Sequence, residues 1–219
     1  MKKLTTIVSL TLLVGSMALG QAPTVYLPLN DDLKDVGPKR VDAVDAGTAP
    51  VEFVNDAERG RVAYFAEAAH AQFPLIADAP ELDFGTGSFS FSFWIKIDPN
   101  VPIPSDPAIF SNKDWGSGGN QGFLVALDGA DDPASHWWTI NAADGAGGRL
   151  DWDADDNQCV NLKDGKWHMV AAVFERGAKL NVYVDGLLYQ NDPAVDSYDL
   201  TLLSASLSPA DLPLTIMQD

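Results

Sequence analysis

At 219 residues, with 46% hydrophobic and 10% aromatic residues, the chain can bury one substantial core and reads as a single domain. Its formal net charge of −17 argues against nucleic acid or anionic membrane as a partner, because nothing offsets repulsion from phosphate. Five glutamates (Glu52, Glu58, Glu67, Glu81, Glu175) leave 26 of the 31 acidic residues as aspartate, a turn former, which points to a loop-rich β protein. Cys159 is the sole cysteine, so no intramolecular disulfide forms and a buried, inert thiol is expected.

Residues 1–20 read as a secretory signal peptide. Lys2 and Lys3 form a basic start, the apolar run centres on Ile7 to Val14, and Ala18-Leu19-Gly20 supplies small residues for cleavage. The run is too short, and too interrupted by Ser and Thr, for a transmembrane helix, and no Cys follows it to carry a lipid. The mature protein is therefore expected to start at Gln21 and to be secreted, periplasmic or on the cell surface. Val25 to Leu29 is predicted as an edge strand because Pro28 cannot donate to a ladder. Asn30 to Pro50 reads as a loop with room for one short strand. Val51–Val54 and Arg61–Phe65 are predicted strands around an Asn55–Gly60 turn. Residues 66–71 (AEAAHA) favour helix locally, but their place before Gln72-Phe73-Pro74-Leu75 suits a loop ahead of another strand. His70 has no neighbouring nucleophile or acid and reads as exposed or packing.

Ser88 to Lys96 is the clearest strand in the sequence. Phe89, Phe91, Phe93 and Ile95 alternate with Ser88, Ser90, Ser92 and Trp94, so the aromatic face belongs in a core. Further strands are predicted at 108–111, 122–127, 137–141 and 149–153. They are separated by the Gly-rich loop Asn112–Gln121, an acidic loop at 128–135, a turn at Asp144–Gly148 and a second acidic loop at 153–157. Lys166 to Phe174 is apolar on both faces and reads as a central strand covered on both sides. It turns at Glu175–Ala178 into Lys179–Val184, where Leu180, Val182 and Val184 point inward. Asp185-Gly186 then gives a strong hairpin signal before Leu187-Leu188-Tyr189. A last strand is predicted within Leu212–Met217. Many short strands, regular turn signals and no long amphipathic helix argue for an all-β, two-sheet antiparallel sandwich.

Four segments carry a family resemblance. The pair DGKWH (Asp164–His168) and VYVDG (Val182–Gly186), with Tyr26–Asp35, Gly87–Lys96 and Pro213–Ile216, resembles the laminin G-like (LamG) domains of the concanavalin A-like lectin/glucanase superfamily, bacterial secreted type. The resemblance covers residues 24–219 in order and implies a jelly-roll sandwich. It also implies strands beyond Pro213–Ile216, so the domain at 21–219 is expected to lack its last strand or strands and to leave a core strand edge unpaired. A Ser-lined face with one Trp suits the concave face of such a sandwich and equally a solvated sheet face.

Function does not follow from the fold. Retaining glycanases of the superfamily need paired carboxylates on one strand, and the nearest pattern, Glu81-Leu82-Asp83, lacks the final Glu and precedes a turn. The sequence thus reads as a non-enzyme. The loop Asn112–Gln121 offers Asp114 and Asn120 as hard oxygens for a calcium ion, a family habit at the sandwich rim, and Trp115 for stacking on a sugar. Asn141 and Trp152, with Asp151, Asp153, Asp155, Asp156 and Asp144, form a second patch, for which solvation is the simpler reading. The expected ligand residues are Trp115, Asn120, Asn141 and Trp152, whereas Trp94, Trp138 and Trp167 read as packing. The reading is an exported binding module for carbohydrate or a glycoprotein surface, with calcium as a candidate ion and further domains expected in the same polypeptide. The alternatives are a structural or protein-interaction domain and a fragment of a glycan-degrading enzyme.

Overall fold

The computed structural model describes residues 6–11 (backbone only), 23–65, 74–77, 79–101, 107–114, 116–127, 138–154, 158–189, 198–210 and 212–218. Expectations that fall on His70, Trp115, Trp137, Asp155 and Asp156 lie outside these residues.

Two seven-stranded antiparallel sheets face each other. The strands in chain order are β1 (Thr6–Thr11), β2 (Ala43–Asp45), β3 (Glu52–Asp56), β4 (Gly60–Phe65), β5 (Pro74–Ile76), β6 (Phe89–Ile97), β7 (Ala108–Ser111), β8 (Gly122–Leu127), β9 (Trp138–Ala143), β10 (Arg149–Asp153), β11 (Trp167–Phe174), β12 (Leu180–Val184), β13 (Leu187–Leu188) and β14 (Leu214–Ile216). One sheet runs β13-β12-β11-β6-β1-β4-β3 and the other β10-β9-β8-β7-β14-β5-β2. The expected all-β concanavalin A-like sandwich is what forms.

Alternation decides which side of β6 is buried. Phe89, Phe91, Phe93, Ile95 and Ile97 are buried, with the residues between them half-exposed. The sheets meet through an aromatic cluster. Phe89 stacks on Phe84 at 4.2 Å and on Phe174 at 4.4 Å, and Phe91 meets Phe110 of the opposite sheet edge-on at 4.6 Å. Each such ring contributes about 1.5–3 kcal/mol by burial, before pair geometry adds to it.

The structure departs from the sequence reading at several points. Val25, Leu27 and Leu29 are buried, yet Val25–Leu29 forms no ladder, and Leu29 takes φ 51° to turn the chain. Only one face of β11 is fully covered: His168, Val170, Ala172 and Phe174 are buried, while Trp167, Met169, Ala171 and Val173 stay half-exposed. The unpaired edge expected of the domain at 21–219 falls between β4 and β6, where the start of the sequence itself supplies a strand. β14 has β7 and β5 on its two sides, and Thr6–Thr11, within the stretch read as a signal peptide, lies as β1 between β4 and β6, antiparallel to both, so that its removal would leave the facing edges of β4 and β6 unpaired.

The DGKWH and VYVDG segments act together. His168 is buried with Nδ1 2.8 Å from Asp185 Oδ2 and Nε2 3.0 Å from Asp164 Oδ1. Asp185, at φ 52°, also accepts from Met169 N, so one aspartate closes the β12–β13 hairpin and anchors β11.

Asp144, placed by sequence in a turn beside the acidic patch, is a buried anchor. Its carboxylate accepts from the backbone N–H groups of Ala146, Gly148, Ser204 and Ala205 at 2.8–3.1 Å, which ties the β9–β10 turn to the 204–205 segment. Burial alone would raise its pKa, but these four donors hold it down at about 2. Gly148 packs on the Leu202 carbonyl so closely that a Cβ would collide with it. Asp144→Ala leaves several N–H groups unpaired and is expected to cost about 2–4 kcal/mol in urea unfolding. A loss below about 0.5 kcal/mol would contradict the anchoring role.

Candidate functional site

The outer face of the first sheet carries the most developed site. Because β6 turns its Phe residues inward, Trp94 and Lys96 point outward. On the neighbouring β11, Trp167 lies opposite Lys96 and Met169 opposite Trp94, so the two indoles are brought onto one surface. The β3–β4 hairpin then reaches over it. Asp56 of β3 accepts from Trp167 Nε1 at 3.0 Å and from Lys96 Nζ at 3.0 Å. Four strand spacings separate β3 from β11 in the sheet order, about 19 Å if the sheet were flat. The bonds at 3.0 Å require the outer face to be concave, with the hairpin tip folded across it.

Arg59, at that tip, sits over the Trp94 ring at 3.3 Å and within 5.1 Å of the Trp167 ring centre. Lys96 lies 5.9 Å from the Trp167 ring and 3.5 Å from Glu58. The Asp56 side chain is only 7% exposed. Burial would raise its pKa, but Trp167 Nε1, Glu58 N, Lys96 and Arg59 N all donate to it and bring it to about 2. Burial works against the Lys96 charge, but the Asp56 and Glu58 carboxylates outweigh it and its pKa is raised. Burial also lowers the Arg59 guanidinium, opposed by the same two carboxylates.

Two recesses open beside this group. One, of about 570 Å³, is lined by Glu52, Asn55, Asp56, Tyr64, Lys96 and Asp98 among others. The other, of about 480 Å³, is lined by Glu58, Arg59, Trp94 and Trp167. Aromatic surface beside a ring of hydrogen-bonding groups is the composition of a ligand site. Asp56 within it is not suited to act as a general acid. A general acid must hold a proton near neutral pH, and Asp56 is a fully engaged anion.

The residues singled out by sequence fare differently. Trp152 is fully buried, against the exposure expected of it, and packs on Trp138 with ring centres 4.9 Å apart. Its place on the inner face of β10 beside Leu150 explains this. Asn141, also buried, joins a network on the outer face of the second sheet. Lys113 Nζ donates to Asn141 Oδ1 and to the Gly118 carbonyl, Asn141 Nδ2 donates to Asp151, and Arg149 makes two bonds to that carboxylate. Burial and the nearby Arg149 lower the Lys113 pKa to about 8. Asp114 and Asn120 do meet, but in a turn: Asn120 Nδ2 donates to the Asp114 carbonyl and Asp114 Oδ1 accepts from Gly116 N. No group of three or more His, Cys, Asp or Glu side chains suited to a metal exists among the described residues. A calcium ion at this turn would draw most of its six to eight oxygens from carbonyls and water. Cys159 is buried as expected, and burial raises its thiol to about 12.

Trp94 and Trp167, read from sequence as packing, both stand half-exposed on this outer face beside Asp56, Arg59 and Lys96. The legible signal was an outward Trp on each of two adjacent strands.

Comparison with known proteins agrees with this architecture. The laminin G type profile of the concanavalin A-like lectin/glucanases superfamily matches residues 70–207. No curated protein matches the sequence. Among solved structures, the binding domain of paraclostridial mosquitocidal protein 1 superposes with a TM-score of 0.65 at 14% identity, covering 96% of this chain and 44% of that one. The binding domain of botulinum neurotoxin DC, solved with rat synaptotagmin II, gives 0.52 at 15% identity, covering 84% and 41%. A structure of botulinum neurotoxin type C, whose cell entry depends on two ganglioside molecules, gives 0.51 at 15% identity, covering 87% and 44%. The chain spans less than half the length of these structures, and at these identities the likeness is one of fold.

The pKa of Asp56 sets a pH signature. Its folded value of about 2 lies below the ordinary carboxylate value of about 3.9, so the clasp adds stability above about pH 4 that is lost as pH falls toward 2. Asp56→Asn is therefore expected to be less stable than the parent at pH 7, with the gap narrowing below about pH 4 and closing only below about pH 2. Urea unfolding across that range measures it, and a pH-independent gap would contradict the assignment.

Proposed function

The chain belongs to the laminin G-like family of the concanavalin A-like lectin/glucanase superfamily, and from that we propose an exported, non-catalytic binding module that takes carbohydrate or a surface glycoconjugate on its Trp94–Trp167 face. The observation that carries the proposal is the pairing of two half-exposed indoles on a concave sheet with Asp56, Asn55, Glu52, Lys96 and Tyr64 around them. The apolar face of a sugar ring packs on an aromatic plane, while its hydroxyls need donors and acceptors fixed at the edge, and this face supplies both. Two of the structural neighbours are named as binding domains, one of them solved with rat synaptotagmin II, which supports a binding role without favouring a ligand class. Export rests on the basic and apolar start of the sequence.

Calcium enters only as an auxiliary ion of the Asp114–Asn120 turn. Glycan binding at the indole face is expected to be the same with and without EDTA. A strict calcium requirement would move the site to that turn.

A protein-contact role is the second reading. The exposed Leu187 and Leu188 on the edge strand β13 favour it. Glycan-array screening followed by calorimetry separates the two. Trp94→Ala and Trp167→Ala are each expected to weaken glycan binding by about fivefold or more, Trp94→Ala without a change in melting temperature and Trp167→Ala with a lowered one because Asp56 loses a donor, whereas Trp115→Ala leaves binding unaltered. Binding that survives both changes would refute this site, and binding by protein but by no glycan would favour the second reading.

A further inference from the structure

The aromatic corner is already occupied, and its occupant is a cation. The Arg59 guanidinium lies 3.3 Å from the Trp94 ring centre and 5.1 Å from that of Trp167. Among the described residues that guanidinium makes no hydrogen bond and no ion pair, so the ring contact and the longer-range pull of Asp56 and Glu58 are what hold it. Around it the two recesses present Glu52, Asp56, Glu58 and Asp98 against Lys96 and Arg59. Lys96 is itself committed to Asp56 and Glu58 at 3.0 and 3.5 Å. Glu58 remains 66% exposed, with its carboxylate open to a partner from solvent. The whole chain adds a negative field, at −17.

Indole faces attract cations through their quadrupole, and flanking carboxylates attract them by charge. Both effects act against an anion. Resting on the carbohydrate reading above, we infer that the glycan bound here is cationic, carrying free protonated amino sugars, and that a ligand ammonium takes the place of the Arg59 guanidinium over Trp94 beside Glu58. Displacing Arg59 breaks a ring contact and no close ion pair, and the incoming ammonium restores the attraction to the nearby carboxylates. The tip that carries it ends at the exposed Gly60, whose φ of +73° is easily accommodated by glycine. Sialylated glycans, which bring a carboxylate, are repelled.

Calorimetry of the full chain with a glucosamine hexasaccharide, its fully N-acetylated counterpart and a sialylated lactose tests this. The free-amine oligomer is expected to bind roughly tenfold tighter than the N-acetylated one at low salt, with the margin shrinking as salt rises. Arg59→Ala is expected to strengthen free-amine binding several-fold, Trp94→Ala to abolish it, and the sialylated sugar not to bind. Equal affinity for the free-amine and N-acetylated oligomers, with both lost in Trp94→Ala, would overturn the cation inference and leave the carbohydrate site standing. Weaker free-amine binding in Arg59→Ala would overturn the replacement of Arg59. Binding that ignores both Trp94→Ala and Trp167→Ala, or no binding by any oligomer, would overturn the inference and the carbohydrate reading together.

Discussion

Burying Phe89, Phe91, Phe93, Ile95 and Ile97 on one side of β6 forces Ser90, Ser92, Trp94 and Lys96 onto the other, because side chains alternate along a strand. A slip of one residue would move the whole aromatic set into solvent, so the register is fixed by several burials at once. The same register sets β11, whose Phe174 stacks on Phe89 and whose Trp167 therefore faces out beside Lys96. The core and the outer site are two sides of one constraint.

On that surface, the Asp56 carboxylate gives the site its shape. It joins an edge hairpin to strands that a flat sheet would keep far away, and it does so with donors that keep it ionised well below neutral pH. Arg59 is carried to Trp94 by the same fold of the hairpin. A permanent, saturated anion suits a binding surface that is set before the ligand arrives, and suits acid–base chemistry badly. On the opposite sheet, the Lys113–Asn141–Asp151–Arg149 network plays a different part. It pins the Gly-rich loop over β9 and β10 through the Gly118 carbonyl, and its polar groups are spent on one another.

The fold was largely legible because its signals are local. Alternation marked β6 and β12, Asp185-Gly186 marked the last hairpin, and the DGKWH and VYVDG segments that carried the family resemblance turn out to be linked through His168. Ala43–Asp45 had no such mark: three residues, two of them exposed, form a strand only because β5 lies beside them. Thr6–Thr11 carries an apolar pattern that serves a leader and a strand equally. The site was less legible because its contacts are not local. Asp56 and Trp167 stand 111 residues apart, and an aspartate in a hairpin turn looks like solvation until the hairpin folds over. Trp152 misled for the opposite reason. The acidic residues around it suggested exposure, while its alternation with Leu150 pointed inward, and burial followed the alternation.

The most direct measurement is the indole N–H region of a nuclear magnetic resonance spectrum during titration with a bound oligosaccharide. Trp94 and Trp167 are expected to shift, Trp167 most sharply because its Nε1 proton is shared with Asp56, while the buried Trp138 and Trp152 stay fixed. Shifts confined to other tryptophans, with Trp94 and Trp167 unmoved at saturation, would contradict the assignment of the concave indole face as the binding surface.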